Sequence, residues 1–347
     1  MGALIAVVLC LFAGVALRFV RAFPGETAIP ALNAFAIYVA LPAVIVRQIP
    51  TLHASGAGLL VPALVPWVLL ALSAGLIALV ARRLRWSREV TRALMMVVPL
   101  GNTAFIGLPL VSALAGPDAL PYAILYDQLG SFLALTIYGA FITAAPRAPA
   151  TPAVPAAPAP DGPWAPAVGV SQDPTARVTA TGPSAAPSSA SPASIEHPLR
   201  AALGRVLVFP PFVALVLGLG LLVAQVALPP LVAGALDKIG ASLVPTTLVA
   251  VGLGWRFTLP AGDRAPFGLA LGLKLVALPA LAWVLLAWLA PPAPIAHATL
   301  LQAGMGPMIT AGALAAQAGL APRLVAAIVG WGTFASLLTV PLWALLT

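Results

Sequence analysis

Two glycine- and proline-marked stretches hold the residues in this sequence best suited to chemistry. The first, Pro99 to Gly116, reads PLGNTAFIGLPLVSALAG and sets Gly101, Asn102, Thr103, Gly107 and Pro109 midway along an apolar run. Residues of these types open or stop helices. The second, Gly304 to Gly319, reads GMGPMITAGALAAQAG and begins with Gly304, Met305 and Pro307. A backbone broken inside a bilayer leaves N–H and C=O groups unpaired, so a break survives only where it is buried in protein or lines a wet cavity. The half-helix that restarts after a break exposes N–H groups and about half a positive charge. Two such N-termini facing each other make a carboxylate site without any basic side chain. The Asn102 amide and the Thr103 hydroxyl add donors, and Gly101 and Gly304 let a ligand approach the backbone. Two plainer readings stand beside this one: a kink packed against neighbouring helices, and an Asn102 side chain that caps the freed half-helix.

Two ionisable residues fall inside apolar runs, Asp127 and Lys274. A carboxylate at membrane depth is paired, wet or protonated, so Asp127, followed by Gln128 and Ser131, is a candidate proton or cation coupler or else a structural partner. Lys274 either attracts the anion, pairs with a carboxylate, or runs its stem to the interface. Asp237 and Lys238 are read as structural residues at an outer helix start, His53 and His297 as interfacial. Neither a metal site nor a cofactor is expected: the single Cys10 excludes a cysteine-built centre, and no His/Glu metal spacing, phosphate-cradling loop or nucleophile elbow occurs. An enzyme is therefore not expected, and without a nucleotide-binding sequence, transport is gradient-driven or passive.

The elements that position these residues follow from composition. Of 347 residues 61% are hydrophobic and only 7% charged, with mean hydropathy +1.05, which marks an all-α integral membrane protein. About 20 apolar residues cross a bilayer. Ten transmembrane helices can be drawn, near 3–21, 31–49, 59–80, 92–114, 120–144, 203–224, 231–253, 266–289, 296–318 and 322–346. With the N-terminus outside, 14 of the 17 basic residues fall on the cytoplasmic side, as the positive-inside rule requires. Both termini are then outside the cell membrane. The basic residues separate apolar segments rather than forming an aromatic-interleaved patch, so no nucleic acid is expected as a partner.

Residues 145–199 are rich in Ala, Pro and Ser and are expected to be a disordered cytoplasmic loop, either a spacer or a tether. It separates an N-terminal five-helix unit, 1–144, from a C-terminal one, 200–347. Asn33 precedes Asp237 by 204 residues, and Gly101 and Gly116 each precede Gly304 and Gly319 by 203. A common offset suggests an internal repeat. Five spans is an odd number, so the second copy inserts upside down, giving two inverted five-helix repeats with crossed broken helices 4 and 9, an architecture of secondary transporters.

With LNAFAIYVALPAVI (32–45), GNTAFIGLPL (101–110) and GMGPMITAGALAAQAG (304–319) in hand, the chain resembles the auxin efflux carrier family and its bacterial relatives, often called malate or malonate permeases. The resemblance implies a scaffold of spans 1, 2, 6 and 7 and a moving unit of spans 3–5 and 8–10 that slides like an elevator. It matches the family's crossover Asn to Asn102 and its second crossover Pro to Pro307, and it implies a homodimer through the scaffold face. Around Gln302 and Ala303 the sequence departs from the plant carriers, which have a Pro–Gln pair there. The expected function is a secondary transporter of a small organic anion. A sodium- or proton-coupled bile-acid or antiporter-type carrier is the alternative, and a membrane metabolite sensor a further one.

Overall fold

A computed structural model describes residues 2–20, 23–52, 57–144, 207–255 and 262–346. The 145–199 segment, His53 and six of the loop arginines (Arg21, Arg147, Arg177, Arg200, Arg205 and Arg256) lie outside the described residues. Among the described residues every element is a helix, and the sole strand-like feature is one isolated bridge. In chain order the helices are α1 (Gly2–Leu17), α2 (Ile29–Thr51), α3 (Ala57–Leu84), α4a (Arg88–Val97), α4b (Thr103–Ala115) and α5 (120–144). They continue as α6 (Pro210–Val223), α7 (Pro230–Leu253), α8 (Arg264–Leu289), α9a (Ala293–Ala303), α9b (Ile309–Gln317) and α10 (Pro322–Ala344). By length and apolarity α2, α3, α7, α8 and α10 can cross a membrane, while α1, α4b and α6 are apolar but shorter. Large side chains such as Leu9, Phe12, Leu64, Trp288 and Leu338 point outward, a surface suited to lipid rather than water.

One placement differs from expectation. Asp237 and Lys238 do not start a helix; they lie in the second half of Pro230–Ala241. The helix begins at the Pro229–Pro230 pair because proline suits the first turn, where no N–H is required.

Four helices contain a widened, π-type turn: Ala36–Ala40 in α2, Thr103–Gly107 in α4b, Tyr126–Phe132 in α5 and Leu273–Ala277 in α8. Three of them run directly into a Leu–Pro pair, Leu41–Pro42, Leu108–Pro109 and Leu278–Pro279. Proline lacks the N–H of the regular ladder and its ring presses on the carbonyl four residues back. Widening the preceding turn relieves that contact and frees a carbonyl.

The buried apolar side chains form two cores. One joins α1, α2, α4b, α5, α6 and α7 through Leu11, Ile45, Ile106, Ile124, Leu215 and Leu248. The other joins α3, α4a, α8, α9 and α10 through Ile77, Leu94, Met96, Leu300 and Ile328. Within the first, α1 and α7 cross backbone to backbone: a Cβ on Gly14 would stand 2.4 Å from the Val249 carbonyl oxygen, and one on Gly252 2.2 Å from that of Leu11. Small residues permit such an approach, which is how helices pack where lipid removes the hydrophobic drive between them.

Candidate functional site

The interruptions in helices 4 and 9 meet. Gly101 and Pro307 form an antiparallel bridge: the Asn102 N–H donates to the Gly306 carbonyl at 2.8 Å, and the Met308 N–H to the Leu100 carbonyl at 2.9 Å. Each break thus satisfies part of the other's backbone, and Pro307, with no N–H to offer, sits where none is needed. Helix 10 passes close behind. A Cβ on Gly306 would lie 2.7 Å from the Gly332 carbonyl oxygen, and one on Gly332 2.5 Å from Pro307 Cδ.

Around this crossover the structure gathers buried polar side chains. Asn102 is 3% exposed. It occupies the N-cap position of α4b but makes no side-chain cap bond, and its Nδ2 has no partner. The amide is therefore held at the start of the half-helix without capping it. Thr103 donates its hydroxyl to Asp127 Oδ1 at 2.5 Å, and Gln128 Nε2 donates to Asp127 Oδ2 at 2.7 Å. Lys274 is 2% exposed and its Nζ lies 3.2 Å from the position a Cβ would take on Gly101. Among the described residues the ammonium makes neither a hydrogen bond nor an ion pair. Gly304 ends α9a and Met305 is fully buried in the first core.

Sequence reasoning did not place Gln302 in the site. It is fully buried, and its Nε2 donates to the Thr103 carbonyl at 3.2 Å and the Ala123 carbonyl at 3.1 Å, joining α9a to α4b and α5. Gly107 makes room for it: a Cβ there would stand 2.2 Å from Gln302 Oε1. Gly107 therefore does not break the helix, which runs on through it. Its signal was the glycine itself, which serves a side chain on a helix some 200 residues away.

Two cavities border α4b, the half-helix that leaves the crossover. The larger, about 300 Å³, reaches Phe105 in the first turn of α4b and Ile309 at the start of α9b. Asn33 and Trp255 also line it, and α10 contributes Val325, Val329 and Thr333. Thr333 Oγ1 is buried without a partner, whereas the Trp255 indole donates to the Gly330 carbonyl at 3.3 Å. The smaller, about 180 Å³, lies against α4b at Pro109 and Ser112 and is bounded by Arg47, Gln48 and Asp237. Arg47 Nε stands 2.9 Å from Asp237 Oδ1 there. No group of three or more His, Cys, Asp or Glu side chains able to hold a metal occurs among the described residues.

The family model described as "Membrane transport protein" matches residues 1–344, both helical regions and the loop between them. The chain belongs to this family, that of the auxin efflux carrier-type transporters. No curated protein matches it. Membership makes it a multi-pass membrane transport protein, in keeping with its long apolar helices and outward-facing leucines. For a membrane transport protein the paired breaks acquire a reason: irregular backbone is tolerated at membrane depth where it meets protein and lines a cavity, and the larger cavity reaches both restarting helices.

Proposed function

We propose that this transport protein is a secondary carrier that moves a small organic anion, a carboxylate, by alternating access at the crossover of helices 4 and 9. One observation carries the reading: a cavity of about 300 Å³ touches the first turns of both α4b and α9b. The first four N–H groups of a helix have no intrahelical acceptor, and two such ends converging supply donors and positive potential for a carboxylate. Asn102, whose Nδ2 is unpartnered, and Lys274 lie at the crossover outside this cavity's lining; in this reading they give a donor and a countercharge to a carboxylate that reaches the crossover. Trp255, Val325 and Val329 suit the apolar body of the same molecule, since ligand sites combine apolar walls with a few placed polar groups.

The architecture supporting this reading is ten spans in two inverted five-helix repeats, 1–144 and 200–347, joined by a cytoplasmic loop at 145–199. The offset of 203 residues recurs in backbone geometry: Gly116 has φ +83° and Gly319 φ +72°, both left-handed and both just past a half-helix. With the proposed orientation, N- and C-termini outside, α9b and the larger cavity it lines lie on the cytoplasmic half, and Arg47, Ser112 and the smaller cavity on the outer half.

Exchange of labelled mono- and dicarboxylates in proteoliposomes tests the proposal. Saturable counterflow that competes with unlabelled substrate and is impaired through a raised KM in Asn102→Ala is the expected result. Absence of counterflow for every carboxylate, from monodisperse folded protein, refutes it.

A further inference from the structure

The crossover holds two opposite charges that do not touch. Asp127 accepts from Thr103 and Gln128, and Lys274 stands against Gly101 with no partner of its own. Both are buried, at 3% and 2% exposure, on widened turns of α5 and α8. Each of those turns is braced by an indole from a neighbouring helix: Trp67 Nε1 donates to the Leu129 carbonyl at 2.8 Å, and Trp343 Nε1 to the Leu275 carbonyl at 3.0 Å. One carbonyl in each widened turn thus has a side-chain donor, which braces the turn that carries the charge. At the 203–204 residue offset Lys274 corresponds to Leu70 or Ala71, and Asp127 to Gly330 or Trp331. The helices that answer α5 and α8 therefore have no charge at the corresponding positions, and helix packing alone does not account for either one.

Charge balance says what the pair does. With Asp127 ionised and Lys274 protonated, the empty site is neutral. A bound monocarboxylate would leave one uncompensated negative charge inside hydrocarbon, which is costly. One proton on Asp127 restores neutrality. We propose that this carrier moves one proton with each monoanion: the substrate carboxylate pairs with Lys274 while Asp127 takes up the proton, so the buried site has no net charge loaded or empty. The inference rests on the carrier reading above and deepens it, by naming a monoanion as substrate and a proton as its companion.

The acceptors for the new proton are in place. Gln128 Oε1 is buried and unpartnered; when its amide turns over, that oxygen accepts from the Asp127 hydroxyl in place of the bond its Nε2 now donates. The Thr103 hydroxyl, released from Asp127, has the Gly101 carbonyl at 3.5 Å as its alternative acceptor. Among the described residues of the elements packed on the Asp127 turn, α3 has Arg82 and Arg83 only at its far end, α9a has His297, α5 itself has Tyr122, Tyr126 and Tyr138, and α4b and α6 have no charge. Around Lys274, α8 has Arg264 and α10 Arg323, each in the first turn of its helix. Lys274 is thus the one countercharge at the depth of Asp127.

The test uses the full chain in proteoliposomes, with pyruvate, 2-oxoisocaproate, malonate and malate as probes and protein-free vesicles subtracted. With the lumen one pH unit alkaline and the potential clamped, a monoanion that exchanges should accumulate toward about tenfold, the value a 1:1 proton stoichiometry sets, whatever the clamped potential. D127N should show no accumulation and an exchange rate flat across pH, and K274M a raised KM for the same anion. Exchange restricted to the dianions, or accumulation that follows the potential instead of the pH gradient, overturns the coupling and leaves the carrier standing. No exchange of any probe by folded protein overturns both.

Discussion

At the scale of single residues, the informative groups are those left without partners. An amide to a charged acceptor contributes about 1.5–3 kcal/mol, so losing Asn102 Nδ2 from a carboxylate site should raise KM by about ten- to a hundredfold. Because that nitrogen bonds nothing in the unliganded protein, Asn102→Ala should leave the melting temperature nearly unchanged. Counterflow kinetics beside a thermal melt checks both halves; an unaltered KM would remove Asn102 from the site. Gln302 behaves oppositely, since its Nε2 ties α9a to α4b and α5. Truncating it removes a second hydrogen bond from the Thr103 and Ala123 carbonyls, which still accept from the Leu108 and Tyr126 N–H groups, and each such bond contributes about 0.5–1.5 kcal/mol net. Gln302→Ala should therefore lower the melting temperature as well as transport, and a melt that does not move would show that the bridge contributes little.

At the scale of elements, much was legible because apolar length and flanking arginine mark a span whatever it packs against. The drawn segments fall on the observed helices to within a few residues at most ends, and the interruption at Gly101 was readable because Gly, Asn and Pro have local meaning. The widened turns were not read, although Leu–Pro after an apolar run points to three of them. The fourth, holding Asp127, has no such mark. The drawn start of α7, residue 231, falls one residue from Pro230, yet Asp237 and Lys238, read as a helix start, lie about two turns inside the helix that the Pro229–Pro230 pair opens. Nor does any local pattern show that Gly14 and Gly252 touch, a contact between helices far apart in sequence. That contact makes its own prediction. A leucine at 252 would drive its Cβ into the Leu11 carbonyl, and overpacking costs about 1–3 kcal/mol. Gly252→Leu should lower the yield of monodisperse protein and the melting temperature, while each surviving molecule transports at the normal rate. A normal melt would mean that α1 and α7 slide apart at no cost.

At the scale of the whole molecule, the two cavities of the proposed carrier are the two ends of one path, and they differ in size, about 300 against 180 Å³. A carrier that alternates must enlarge one as it closes the other, and a substrate shifts such an equilibrium only by binding one state better. The smaller cavity has walls from two sets of elements: Arg47, Gln48 and Asp237 lie on α2 and α7, whereas Pro109 and Ser112 belong to α4b. The Arg47–Asp237 pair joins α2 to α7 on one side of the smaller cavity, and with Asp237 half exposed it adds little stability. The single native thiol, Cys10, makes the motion measurable. In a Cys10→Ala background, Ala316→Cys lines the larger cavity and Ser112→Cys the smaller one. A membrane-impermeant maleimide should modify Ala316→Cys only from the cytoplasmic face and Ser112→Cys only from outside. Adding a transported anion should speed one reaction and slow the other, because a single rearrangement governs both. If both rates fell together, the anion would be locking the protein shut; if both were untouched, the cavities would not be two ends of one path.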